Sequence, residues 1–155
     1  MSTAHGAGCG KVILLGEHSV VHGRPALAAG LSRGARAEVT ASPDARSHAR
    51  FVFDTAEVVV QAADDSDHPL GRAFAALLGT YSAPPPVHLT VRLELPAGAG
   101  LGASAAMGVS ASSALDAYLG IPRTPLERAT QTLAWERVFH GNPSGVDNTM
   151  AAVGG

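Results

Sequence analysis

Between Leu95 and Ser104 the chain reads Leu-Pro-Ala-Gly-Ala-Gly-Leu-Gly-Ala-Ser, with glycine at 98, 100 and 102. Glycine lets a backbone approach a ligand without a Cβ in the way. A helix starting near Ser104 adds free N–H groups and the positive end of its dipole, which together attract anions. Three glycines at a spacing of two are more than a tight strand-to-helix turn needs, so the segment reads as an anion site, most often one for phosphate. Gly98-x-Gly100-x-x-Ala103 fits a loose dinucleotide fingerprint, but that fingerprint requires a parallel strand and an acidic residue after the helix. Here Ile121-Pro122-Arg123-Thr124-Pro125 and a second helix follow instead. A P-loop fails too: at Gly10-Lys11 it would need glycine at His5 and a hydroxyl at Val12.

Three charged residues are candidates to work beside such a loop. Lys11 is the only lysine against ten arginines. In a chain that uses arginine wherever a cation will do, a lone lysine suggests a site needing a compact ammonium rather than a planar guanidinium. Glu136 lies on a predicted helix, where a glutamate is ordinarily a solvated surface residue. Asp147 follows the Gly/Pro-punctuated turn His140-Gly141-Asn142-Pro143-Ser144-Gly145. It reads either as a first-turn acid favoured by the helix dipole or as a rigidly held catalytic carboxylate. His18 and His22 stand four apart, but the glutamate of H-E-x-x-H is missing and Ser19-Val20-Val21 is β-prone, so zinc is disfavoured.

The elements that must carry these residues are legible in outline. Lys11–Leu15 is a short apolar run and reads as a buried strand, followed by a β-prone turn over His18–His22. Arg36–Ala41 and Phe51–Asp54 are further predicted strands, Asp64–Pro69 a polar loop and Leu70–Tyr81 a helix. Val87, Leu89, Val91, Leu93 and Leu95 alternate with His88, Thr90, Arg92 and Glu94. That is a half-buried strand, of the kind usually paired antiparallel. Ser104–Leu119 is predicted helical, with Met107, Ala111, Ala114, Leu115 and Tyr118 on one face and Gly120 as its C-terminal cap. Thr124-Pro125-Leu126-Glu127 is a capping box, opening a helix predicted to run to about His140. A last helix starts near Ser144–Asp147. Strands come first, helices later and no internal repeat is present, so the fold class is α+β.

Composition bounds the function. The chain has 155 residues, 46% hydrophobic and 15% charged, which suits one folded domain and not a disordered chain. A net charge of −2 gives no electrostatic footprint for nucleic acid. No apolar run is long enough to cross a membrane, and the N-terminal residues lack a secretory signal pattern. The single cysteine, Cys9, has no internal disulfide partner, which points to a reducing cytoplasmic location.

Three blocks taken together resemble the GHMP kinase superfamily and, within it, its mevalonate kinase branch. Gly10-Lys11-Val12-Ile13-Leu14-Leu15-Gly16-Glu17-His18-Ser19-Val20-Val21-His22-Gly23 is similar to the family's first motif. Leu95–Ala106 resembles its P-x-x-x-G-L-G-S-S-A phosphate loop, and His140–Asn148 the segment with the catalytic aspartate. The resemblance implies a GHMP-type N-terminal domain (ribosomal protein S5 domain 2-like), a mixed or antiparallel sheet with helices packed on one face. It implies MgATP-dependent phosphorylation of the primary hydroxyl of mevalonate. Pro96, Gly98, Ala99, Gly100, Leu101, Gly102, Ala103 and Ser104, with Lys11, would hold ATP. Ser104 and Glu136 would bind Mg²⁺, Asp147 would take the hydroxyl proton, and Lys11 would sit beside Asp147. Glu17 and His18 would line the mevalonate pocket. A homodimer of the full-length enzyme is compatible with the resemblance.

Two residues depart from the family pattern. Ala103 stands where the loop's first serine belongs, and Cys9 where a proline commonly precedes Gly-Lys. Family members are also longer, with a second half whose glycine-rich motif has no match here. Residues 1–155 are therefore expected to form the ATP- and substrate-binding domain of a longer kinase, without the C-terminal domain, inactive alone and exposing apolar surface. Another GHMP small-molecule kinase and a non-catalytic nucleotide-binding module remain the alternatives. The lone-lysine argument makes one prediction. Lys11→Arg should cost activity nearly as much as Lys11→Met when the two variants are assayed side by side with mevalonate and ATP in the complete enzyme. Near-normal turnover in Lys11→Arg would mean that any cation suffices.

Overall fold

Strict alternation makes Val87–Leu93 a strand, and the computed structural model, which describes residues 2–154, shows why one face is apolar. Val87, Leu89 and Val91 are fully buried beneath helices, while Arg92 and Glu94 face solvent. In chain order the elements are β1 (Ala4–Leu15), β2 (Leu27–Ala41), β3 (His48–Val52), β4 (Glu57–Gln61), α1 (Pro69–Leu78) and β5 (Val87–Leu93). The helices α2 (Ala103–Leu119), α3 (Pro125–Gln131), α4 (Leu133–His140) and α5 (Val146–Val153) follow. One five-stranded sheet has the order β1-β2-β5-β3-β4. Every pairing is antiparallel except β3 with β5, so the central strand is antiparallel on one side only. The parallel pair is made possible by the crossover through β4 and α1. The helices cover one face, with Trp135, Phe51, Phe74, Leu77, Leu89 and Leu115 in the core. The other face carries exposed ion pairs, Arg36–Glu94 at 2.9 Å and Arg50–Glu57 at 2.6 Å.

The first strand begins seven residues before the predicted Lys11. Gly6 and Gly8 hide it from a propensity reading, yet they are what lets it form here. A Cβ at Gly6 would lie 2.3 Å from the Ala114 backbone nitrogen, and one at Gly8 would lie 2.3 Å from the Ala106 carbonyl oxygen. Strand and helix backbones thus lie close together, and tertiary packing overrides intrinsic preference. On the helix side α2 is rich in Ala and Ser, and its one glycine, Gly108, leaves room for the Trp135 ring, which a Cβ there would meet at 2.7 Å.

Other boundaries shift as well. The turn predicted at His18–His22 is present, but its β-prone residues Val20–His22 form a short 3₁₀ helix. β2 starts at Leu27 instead of Arg36, because its first half pairs with Lys11–Leu15. β3 starts and ends earlier than predicted, and the Phe53 N–H to Ala56 carbonyl bond (2.8 Å) closes a hairpin into β4, which the sequence reading missed. α1 stops at Leu78, where the Thr80 hydroxyl donates to the Leu77 carbonyl (2.7 Å). The capping box at Thr124 is present, but the helix predicted to reach His140 is broken at Thr132 into α3 and α4.

A buried charge cluster lies where α3 begins. Asp116, on α2 and 2% exposed, accepts from Arg123, from Arg128 Nε (3.1 Å) and from the Tyr81 hydroxyl (3.0 Å). It ties the ends of α1 and α2 to the start of α3. The strand-on-helix contact yields a prediction. Gly8→Ala should destabilise the domain by about 3 kcal/mol in chemical denaturation, because only backbone atoms stand in the way and neither chain can yield cheaply. Unchanged stability would show that β1 and α2 can separate at no cost.

Candidate active site

Lys11 lies just past a break in the β1–β2 ladder: Cys9 opposes Gly34, yet Gly10 opposes Leu31. β1 is an edge strand, so outward N–H groups are free to bond elsewhere. The Lys11 N–H donates to the Leu101 carbonyl at 2.9 Å, docking the glycine-rich turn onto the strand. Within that turn Gly98, Gly100 and Gly102 all have φ between 72° and 74°, the left-handed conformation that glycine adopts without penalty. This explains the spacing of two. At Gly102 a second constraint applies, since a Cβ there would fall 2.9 Å from Lys11 Cγ. The lysine stem runs across the bare Gly102 backbone. Its Nζ donates to the Gly100 carbonyl (3.2 Å) and pairs with Asp147 Oδ1 (3.3 Å). Lys11 is only 6% exposed, and a lysine is rarely so buried unless paired.

α2 begins directly after the turn, with Gly102 as its N-cap and no side-chain cap bond. Its first N–H groups therefore remain available to an anion. Ser104, in that first turn, donates from Oγ to Glu136 Oε1 at 2.5 Å, and its carbonyl accepts from the Trp135 indole at 3.0 Å. Adjacent residues of α4 thus grip both the hydroxyl and the backbone of Ser104. Glu136 is 1% exposed, not solvated as its helix position suggested. Its second oxygen lies 3.5 Å from His140 Nε2. Burial pushes the Glu136 carboxyl above the ordinary carboxylate range; the Ser104 hydrogen bond and His140 oppose this, and the Asp147 charge adds to it. Glu136 is a buried acid short of positive charge.

Two clefts meet at Asp147 and His140. One, of about 200 Å³, is lined by Lys11, Gly98 and the loop from Gly100 to Ser104. The other, of about 210 Å³, is lined by Glu136, Asn142–Gly145, Asn148 and Val21. Pro96 opens instead onto a separate cleft of about 430 Å³ at the end of β5, beside Phe53 and Leu95. Ala99 is exposed, while Leu101 and Ala103 are half-buried at the base of the loop. Glu17 and His18 are exposed on the turn after β1 and line neither of the clefts that meet at Asp147. Sequence reasoning missed His140, Asn148 and Thr132. His140 could have been found from its spacing of four from Glu136; the other two carry no such signal.

The donor set fits Mg²⁺. Among the described residues no cluster of three or more His, Cys, Asp or Glu stands ready to hold a metal ion. A hydroxyl and a carboxylate in contact, beside an anion loop, instead suit a hard cation that takes few protein oxygens and fills its shell with phosphate and water.

A glycine-rich loop at a helix start, tied by an ammonium to a carboxylate, thus lies beside a sheet with helices on one face. Residues 68–155 match the family described as GHMP kinases N terminal domain, and the chain belongs to that family. It is 34% identical over 148 residues to the mevalonate kinase of Methanothermobacter thermautotrophicus, covering 94% of this chain and 46% of that protein. The structure of L. major mevalonate kinase in complex with R-mevalonate superposes with a TM-score of 0.75 at 29% identity, over 99% of this chain and 48% of the other. Methanococcus jannaschii mevalonate kinase shares the fold with a TM-score of 0.78 at 18% identity, over 99% and 52%. The chain spans about half the length of the curated relatives it matches. Among the described residues no helix is long and apolar enough to cross a membrane.

Glu136 makes the site pH-dependent. Below the ordinary carboxylate range it is protonated both folded and unfolded. As pH rises, the unfolded chain ionises first, so the stability contributed by the raised folded value is lost as pH climbs through that value. Glu136→Gln should remove this loss, so that at neutral pH its melting temperature equals or exceeds that of the wild type without Mg²⁺. Parallel pH–stability curves for the two proteins would contradict the burial argument.

Proposed function

We propose that this chain is the ATP- and substrate-binding half of a kinase that phosphorylates the primary hydroxyl of mevalonate. The observation that carries this reading is the Lys11–Asp147 pair at the junction of the two clefts. A phosphate-binding loop lies on one side and an acceptor-sized cleft on the other. The likeness to mevalonate kinases across 94% of the chain supports the choice of substrate.

Phosphoryl transfer asks a protein mainly to position reactants and stabilise charge. The backbone N–H groups of Gly98–Ser104 and of the start of α2 hold the triphosphate, with the exposed Ala99 at the mouth of the loop, while Pro96 only shapes the end of β5 from which the loop leaves. Asp147 accepts the hydroxyl proton as the substrate oxygen attacks the γ-phosphorus, and the bond to the bridging oxygen breaks to release ADP. Lys11 keeps Asp147 oriented toward the acceptor and stabilises negative charge on the attacking oxygen. Ser104 and Glu136 would hold Mg²⁺, which when bound neutralises phosphate charge and supplies the positive charge that buried Glu136 lacks. Ala103 removes one further hydroxyl, so Ser104 alone serves that turn. Glu17 and His18 line neither cleft; they are offered to mevalonate only as exposed neighbours on the turn that places Val21 at the second cleft. The lone Cys9 accords with a cytoplasmic enzyme.

Asp147→Asn in the complete enzyme should lower kcat by about 10² to 10⁴, the range of a positioned acid–base group. ATP affinity should persist, because the loop and Ser104 are untouched. A kcat within a few-fold of wild type would reduce Asp147 to a helix-start acid.

A further inference from the structure

Asn148 follows Asp147 on α5 and is 1% exposed. It reaches Thr132, which is fully buried at the break between α3 and α4. The Thr132 hydroxyl proton is already given to the helix carbonyls of Arg128 (3.0 Å) and Ala129 (3.1 Å). Toward Asn148 it can therefore only accept, and Asn148 Nδ2 donates to it at 3.0 Å. This orientation leaves Asn148 Oδ1 buried without a partner. A position chosen for packing alone would be better filled by leucine, since an unmet buried acceptor is a cost that an apolar residue avoids.

What the bond connects explains its retention. The Thr132 carbonyl accepts from the Glu136 N–H at 3.1 Å, so Thr132 begins the turn that carries Glu136. Asn148 is the neighbour of Asp147. α5 has eight residues, and its N-cap, Gly145, contributes no side-chain bond. An isolated helix this short does not hold itself in place. One buried hydrogen bond thus spans from the turn under one carboxylate to the residue beside the other.

We propose that Asn148 is a positioning residue: through Thr132 it sets the first turn of α5, and with it Asp147, against Glu136 and Lys11. The proposal rests on the kinase reading above. Removing Asn148 leaves the Thr132 hydroxyl still bonded to its two carbonyls, so Asn148→Leu creates no new unpaired group.

The test combines activity, stability and amide hydrogen exchange in the complete enzyme. Asn148→Leu should melt close to wild type or above it and keep the KM for ATP. Its kcat should fall about 10- to 100-fold, as small misplacements of reacting groups do, and the α5 amides should exchange faster. Thr132→Ser keeps the acceptor and should keep the rate. Thr132→Val strands the Asn148 amide and should lower both the melting temperature and kcat. Adding Asn148→Leu to it should restore the melting temperature and leave kcat low. Unchanged kcat in Asn148→Leu, or a loss of rate that follows the melting temperature across all four variants, would overturn the proposal. Were the wild type unable to phosphorylate mevalonate, the function reading would fall, and unaltered α5 exchange in Asn148→Leu would then overturn the tether on its own.

Discussion

One buried ammonium group holds this site together. Lys11 Nζ touches a carbonyl of the glycine-rich loop, 89 positions along the chain, and the carboxylate of Asp147, on the last helix. Its backbone N–H holds the same loop through Leu101. The loop, the edge strand and α5 are thereby fixed relative to one another by a single residue. The break in the β1–β2 ladder beside Lys11, the bare backbone at Gly102 and the closeness of β1 to α2 all serve that placement. A longer, planar cation would have to find a different path across Gly102.

The charge balance around Lys11 is uneven in a way that suits transfer of a polyanion. Glu136 and Asp147 face one buried lysine and one half-exposed histidine. Burial and this deficit together raise the Glu136 carboxyl above the ordinary carboxylate range. A divalent cation held there would favour the ionised form, so metal binding and the Glu136 proton are expected to be energetically coupled. Two clefts share Asp147 at their junction, so one carboxylate lies within reach of both.

Much of this was legible in the sequence, for identifiable reasons. The loop showed itself because left-handed backbone at 98, 100 and 102 requires glycine, and Lys11 stood out against an arginine background. β5 and the Thr124 capping box were readable because each depends on local pattern alone. What was hidden depends on contacts distant in sequence. The glycines that open β1 look like strand breakers until α2 lies against them. The tie from Asn148 to Thr132 spans 16 positions and the Ser104 contact that accompanies the burial of Glu136 spans 32, so neither shows in a local pattern. A helix position that looked solvated became the driest acid in the site.

The most direct test of the account is a crystal structure of the complete enzyme with mevalonate, Mg²⁺ and a non-hydrolysable ATP analogue. The triphosphate is expected along Gly98–Ser104, the metal ion against Ser104 and Glu136, and the primary hydroxyl of mevalonate within hydrogen-bond reach of Asp147, with Lys11 still paired to it. A nucleotide bound away from that loop, or an alcohol with no contact to Asp147, would contradict the account.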